Sequence, residues 1–120
     1  MSAVAAGIPD ALAHVVDKLA GAGLAASHTV GGLQVPGAWV HATGYEPLTL
    51  GGAARLDVAV DLIAEDQAEH TAISQLDGML GIALTVITPT GKVETDAVVE
   101  FPSGALPAFR IPTTIEYTKE

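Results

Sequence analysis

Side chains able to do chemistry are few in this 120-residue sequence, and they are scattered. His14, His28, His41 and His70 occur singly, with no His-x-His or His-x-x-x-His pair to build a metal site on one element. Asp57 and Asp61 share one side of a predicted strand, but residues i and i+4 of a strand lie ~13 Å apart. That is too far to share a proton and wide for an inverting glycosidase pair. Arg55, beside Asp57, reads as its cross-face ion-pair partner. Ser27, Ser74 and Ser103 stand in no strand–turn–helix nucleophile elbow. "GAGLAA" (21–26) has the glycine spacing of a dinucleotide fingerprint. Such a fingerprint needs a strand before it and a helix after it, so that pyrophosphate meets a helix N-terminus. Here a predicted helix comes first, and the glycines read as its stop. No catalytic, cofactor-binding or metal site is expected, and the chain reads as a protein that is not an enzyme.

The densest cluster is "QVPGAWVHATGYE" (34–46), which holds the only Trp, one of four His and one of two Tyr. The chain has one Trp, two Tyr and two Phe, too few for a platform on which bases or sugars stack. Trp39 alternates with Val40 and His41 along a strand. It is expected to be a framework anchor pinning that strand to a helix, with a ligand contact as the alternative.

The elements that must position these residues follow from periodicity. Ile8, Leu12, Val15, Val16 and Leu19 make one apolar helical stripe, with Pro9 and Asp10 suited to its first turn. The helix is predicted over Pro9–Ala20 and ends at Gly21 and Gly23. "LAASHTV" (24–30) and "AWVHAT" (38–43) read as extended pieces, and "GYEPLTLGGA" (44–53) as a hairpin-type connection. "RLDVAVDLI" (55–63) alternates: Leu56, Val58, Val60 and Leu62 face a core, while Arg55, Asp57, Ala59 and Asp61 face water. Asp66 and Glu69 fit a capping box. A second amphipathic helix is predicted from Gln67 to Leu84, with Gly78 and Gly81 reserved for close approach to a sheet. "KVETDAVVEF" and "ALPAFRIPTTIEYT" read as a final strand pair. Pro107 and Pro112 argue that the last strand is an edge or is interrupted. The predicted order is α-β-β-β-α-β-β: a single α+β domain over 1–120, two helices on a mostly antiparallel sheet. Residues 1–8 are expected to be a flexible N-terminus.

Composition bounds the function. The absence of cysteine excludes disulfides, zinc-thiolate sites, thiol catalysis and iron–sulfur clusters. Residues 1–8 lack the basic start and apolar run of a signal peptide, and no stretch reaches the ~18 apolar residues of a membrane span. A soluble, intracellularly made protein is expected. Charged residues are 16% of the chain, against ~25% in ordinary domains, and 49% is hydrophobic with 13 Gly besides. A small monomer has too much surface to be this apolar, so coverage by copies of itself or by partners is expected. The alternative is the Ala- and Gly-rich composition of a high-GC genome. The net charge is −9, and Lys18, Arg55, Lys92, Arg110 and Lys119 form no basic stripe for phosphate.

The helix ending in "AGAGL", then "VPGAWV", "LTLGGAARLDVAVDLIAEDQAEHTAISQLDGML" and "LPAFRIPTTI", together resemble the tail-terminator proteins of long-tailed bacteriophages with high-GC hosts. The resemblance runs over about residues 9 to 116. It lies in segment order, length and texture rather than in a catalytic motif. It implies an α+β subunit of a hexameric ring in the virion neck, assembled in the host cytoplasm. Such a ring caps the tail tube, stops its polymerisation and joins it to the head–tail connector, with DNA passing through the lumen. The implied partners are the tail tube protein, the connector protein and further copies of the chain, with no cofactor and no membrane. Six copies would carry 6 × −9 = −54 formal charges, which repel phosphate. Under this reading the strand carrying Phe109, Arg110, Ile111 and Tyr117 is expected at subunit contacts. The loops Gly31–Gly37 and Gly44–Gly52, the latter with Tyr45 and Glu46, are expected to meet neighbours above or below. Two alternatives stand beside it. One is another neck or minor tail protein, such as a head-closure or tail-completion protein. The other, of a different class, is a small ligand-binding or accessory enzyme domain built around His41, Tyr45 and Asp57.

Overall fold

The alternating segment at 55–63 sits at the centre of the fold. The computed structural model describes residues 2–5, 7–29, 35–49, 51–64, 69–101 and 104–119. Its elements are β1 (Ser2–Ala5), α1 (Ile8–Gly21), β2 (Ala26–Ser27), β3 (Gly37–Pro47), β4 (Ala53–Ile63), α2 (Glu69–Ala83), β5 (Glu94–Phe101) and β6 (Gly104–Lys119). β4 lies between β3 and β6 and is antiparallel to both. The sheet path is β1-β6-β4-β3-β2, and β5 also pairs with β6, in antiparallel fashion. Only the short flanking strands β1 and β2 run parallel to their neighbours. From residue 8 onward the order is α-β-β-β-α-β-β, an α+β fold with a mostly antiparallel sheet. Within the segment expected to be a flexible N-terminus, Ser2–Ala5 forms a strand that pairs with the end of β6 from Glu116 to Lys119.

Both helices cover one face of the sheet. α1 buries Ala11, Leu12, Val15 and Leu19, and α2 buries Ala72, Leu76, Met79 and Ala83. These join Val40, Leu56, Val58, Val60, Leu62, Phe109 and Ile111 in one core. α1 ends as its glycines require. Gly23 takes φ 100°, the Leu24 N–H donates to the Leu19 carbonyl and the Gly23 N–H to that of Ala20, both at 3.0 Å. Those are the paired bonds of a Schellman stop, and the adjoining Leu24 and Leu19 are both buried. α2 is described from Glu69, so the Asp66 end of the expected capping box lies outside the described residues.

The proline-bearing strand is a correction. β6 is not an edge: it is the longest strand and is paired on both sides. In an extended residue the N–H and C=O address the same edge. The Pro112 carbonyl accepts from the Thr90 N–H at 2.8 Å, so the donor that proline lacks would also have faced the loop at 88–90 rather than β4. That loop occupies the side of β6 between the stretches paired by β5 and β1. A second correction concerns Gly78 and Gly81. Both are exposed, and a Cβ built at either meets nothing within 4 Å, so neither admits close packing against the sheet. Each therefore carries only the backbone-entropy cost of glycine in a helix. Gly78→Ala and Gly81→Ala are each expected to stabilise the fold by roughly 0.5–1 kcal/mol in urea unfolding; a loss of stability would mean that the helix surface is closed off.

Candidate functional site

The most unusual chemistry lies on the sheet face that the helices leave uncovered. Asp61 in β4 stands cross-strand from Trp39 in β3 and from Arg110 in β6. Alternation places it on the side expected, but it is fully buried rather than wet. The reason is reach: its long neighbours close over a short side chain. Arg110 Nε donates to Asp61 Oδ1 at 2.7 Å, and a terminal guanidinium nitrogen donates to Oδ2 at 3.1 Å. His41 Nε2 lies 2.9 Å from the same Oδ2. Burial pushes the Asp61 carboxyl up, but the hydrogen bonds and charges of His41 and Arg110 outweigh it and hold the group below its ordinary value. Arg110 is raised in turn, chiefly by its bond to Asp61. Trp39 stacks on His41, with ring centroids 4.1 Å apart and planes 21° apart.

Trp39 is half-buried, and its location differs from expectation. It packs with Val35, Ala97, Phe101 and Leu106 on a small second core of Ile63, Val99 and Ala108. It therefore seals the uncovered face instead of pinning β3 to a helix. Together the four side chains form a carboxylate clamp. The imidazole is oriented by a carboxylate, and that carboxylate is fully engaged by one guanidinium and one ring.

The proposed constellation of His41, Tyr45 and Asp57 is not assembled. A bulge in β3 advances the register between Ala42 and Gly44. Tyr45 is thereby turned to the helix side, opposite the core residue Leu56, while His41 stays on the other face. Asp57 is exposed and stands opposite Gly44, where a Cβ would come within 2.9 Å of its Oδ2. Arg55 does not take Asp57 as its hydrogen-bonding partner. It lies 2.9 Å from Glu116 and 3.4 Å from Glu46, bridging β4 to both neighbours across an open surface. The Glu116 bond is the main cause of its raised pKa.

The remaining candidates fall as follows. Of the expected contact residues, Ile111 and Tyr117 are buried in the helix-side core, and Phe109 is buried there too but lines a groove beside α2. Burial, followed by the nearby Tyr45, raises the Tyr117 phenol. Arg110 belongs to the clamp. Tyr45 and Glu46 stay exposed near the end of the β3–β4 hairpin. The loop Gly31–Gly37 lies mostly outside the described residues, as do Leu50 in the second loop, Ser103 and the side chain of His70. His14 is exposed, 3.9 Å from Asp10, and the Ser27 hydroxyl serves a local turn with Thr29. Among the described residues no group of three His, Asp or Glu could hold a metal ion.

Sequence reasoning missed two surfaces. Between α2 and β5 lies a groove of about 400 Å³ with Ala72, Leu76 and Phe109 in its floor and Ile73, Val98 and Pro107 around it. A second cleft of about 520 Å³ separates α1 from the 86–90 loop, with His14 and Lys18 on one side and Thr88, Thr90 and Thr114 on the other. Both depend on how far each helix reaches over the sheet, which periodicity does not encode. Comparison with protein-family models, with curated proteins and with solved structures returns no match. No described helix is long and apolar enough to cross a membrane.

The clamp predicts an asymmetry. Arg110→Met leaves a buried carboxylate with one partner and is expected to cost about 3–5 kcal/mol. Asp61→Asn leaves a neutral amide and an arginine that still reaches water, and is expected to cost less, about 1–3 kcal/mol. Urea unfolding at neutral pH ranks them, and the reverse order would contradict the assignment. Folded Asp61 binds its proton more weakly than an unfolded aspartate. Its contribution is therefore complete above the ordinary value near ~4 and is lost as pH falls through the lower folded value. The stability gap between wild type and Asp61→Asn is expected to shrink below about pH 4.

Proposed function

We propose that this chain is a structural subunit of a bacteriophage neck, working as tail terminators do. In this reading it forms a ring that caps the tail tube and offers the head–tail connector a different face. The ring is expected to be hexameric, with DNA passing through without specific contacts. The observation that supports the reading best is the apolar surface of the folded subunit. Tyr45, Leu48, Ile73, Ile82, Leu84 and Val98 are each at least 40% exposed on a chain in which only 16% of residues are charged. Scattered exposed apolar residues are ordinary. Here Ile73 and Val98 flank one groove, while Tyr45 and Leu48 share one hairpin. β3 and β5 lie on opposite sides of the central β4–β6 pair, so the two surfaces sit at opposite edges of the sheet. Unlike contacts of this kind are what generate rings.

The clamp fits the same role. It ties β4 to β6 through an ion pair and β4 to β3 through a hydrogen bond, which suits a part that must transmit force without deforming. The acidic balance suits a wall past which phosphate slides.

Negative-stain microscopy of the purified chain is expected to show annular particles. Added to polymerising tail tube protein of its own phage, the chain is expected to shorten the tubes. Tubes of unchanged length, with no particle at their ends, would refute the termination role.

A further inference from the structure

We propose that the groove between α2 and β5 seats the β3–β4 hairpin of a second copy, with Tyr45 entering between Ile73 and Val98. This deepens the ring-forming reading, and rests on it, by naming the contact. The outer edge of β3 lies along the outer edge of β5, so that the sheet of one copy continues into the next.

Three observations converge. The first is shape and polarity. The groove has a buried apolar floor, and its walls Ile73 and Val98 are 50% and 56% exposed. Tyr45, 53% exposed, is the largest apolar side chain the fold leaves in the open, and Leu48 accompanies it on the same hairpin. An aromatic ring seated in such a pocket is the usual anchor of a protein interface.

The second is charge. β5 carries Glu94, Asp96 and Glu100, all exposed, and Asp96 lines the groove itself. Two copies of a chain with net charge −9 repel each other, and a docking segment without charge avoids adding a close like-charge contact. The hairpin end, residues 47–54, holds no charged residue. Glu46 beside it is drawn to the opposite face, where it meets Arg55.

The third is the bulge. Without the register shift at 42–44, alternation would leave Tyr45 on the face of Trp39 and His41. With it, Tyr45 stands on the helix side, the side on which the groove opens. When β3 of one copy pairs antiparallel to β5 of another, the helix faces of the two copies align, and only that side delivers its ring to the groove. Among the described residues β5 pairs with β6 alone, and β3 beyond Trp39 pairs with β4 alone, so both outer edges are open to such strand addition.

The test uses sedimentation velocity on the intact chain, with circular dichroism and melting temperature as controls for folding. Tyr45→Glu and Val98→Glu are each expected to run as monomers at a concentration where wild type is assembled. An equimolar mixture of the two is expected to give a two-chain species and nothing larger, because one sound hairpin and one sound groove remain per pair. Independently, a Tyr45→Cys, Val98→Cys double variant of this cysteine-free chain is expected to form a ladder of disulfide-linked chains on mild oxidation. If wild type assembles and both Glu variants assemble equally well, the proposed contact is wrong while the ring reading stands. The groove would then be left to a different partner. A mixture that stays monomeric overturns the pairing of these two surfaces. A wild type that is monomeric throughout overturns both the contact and the reading beneath it.

Discussion

Both helices lie on one side of the sheet, and the rest of the architecture follows from that constraint. The helix side closes in the ordinary way, with an apolar stripe from each helix laid on the alternating residues of β3, β4 and β6. Among the described residues no helix covers the other side. It closes instead through its own side chains: Trp39, Phe101 and Leu106 over Ile63 and Ala108, and Arg110 and His41 over Asp61. A carboxylate at the centre of a sheet would be untenable alone, since an ionised group out of water is strongly disfavoured. Here it accepts from a guanidinium through two bonds and meets an imidazole through a third contact, and among the described residues no buried side-chain polar atom lacks a partner. Exchanging such a clamp for apolar side chains of similar volume is often neutral or stabilising. What it contributes is register: a slip of one residue between β4 and β6 would carry Asp61 away from Arg110 and into the apolar core.

Much of this was legible in the sequence, for identifiable reasons. The alternation of Leu56, Val58, Val60 and Leu62 located the central strand because one of its faces meets helices. The α1 stripe and the Gly21–Gly23 stop were legible because they are local. Three things were not. Asp61 looked wet because alternation reports which side a residue points to and says nothing of how long its cross-strand neighbours are. The run "PAFRIP" held the clue, one arginine in an otherwise apolar segment. Pro107 and Pro112 suggested an edge because a missing donor usually faces a partner strand. In β6 the donor missing at Pro112 would have faced the 88–90 loop, a detail fixed by tertiary pairing alone. The bulge at 42–44 left no reliable trace beyond Gly44 itself, yet it moves Tyr45 from one face to the other.

The candidate site changes character accordingly. The sequence directed attention to Trp39, His41 and Tyr45 as one cluster and to Phe109–Tyr117 as a contact strand. The structure separates them: Trp39 and His41 belong to the clamp, Phe109, Ile111 and Tyr117 to the core, and Tyr45 alone to the exterior. What remains on the outside is a neutral hairpin with an aromatic ring and an apolar groove under an acidic strand. That pair of surfaces connects the fold to the proposed assembly role, in which each would cover the other.

The central claim is that these apolar surfaces are covered by further copies of the same chain. Native mass spectrometry over a range of concentrations tests it most directly. The account predicts one discrete species at an integral multiple of the 12.1 kDa chain, six-fold if the ring is hexameric, persisting on dilution. A single peak at 12.1 kDa at every concentration would contradict it.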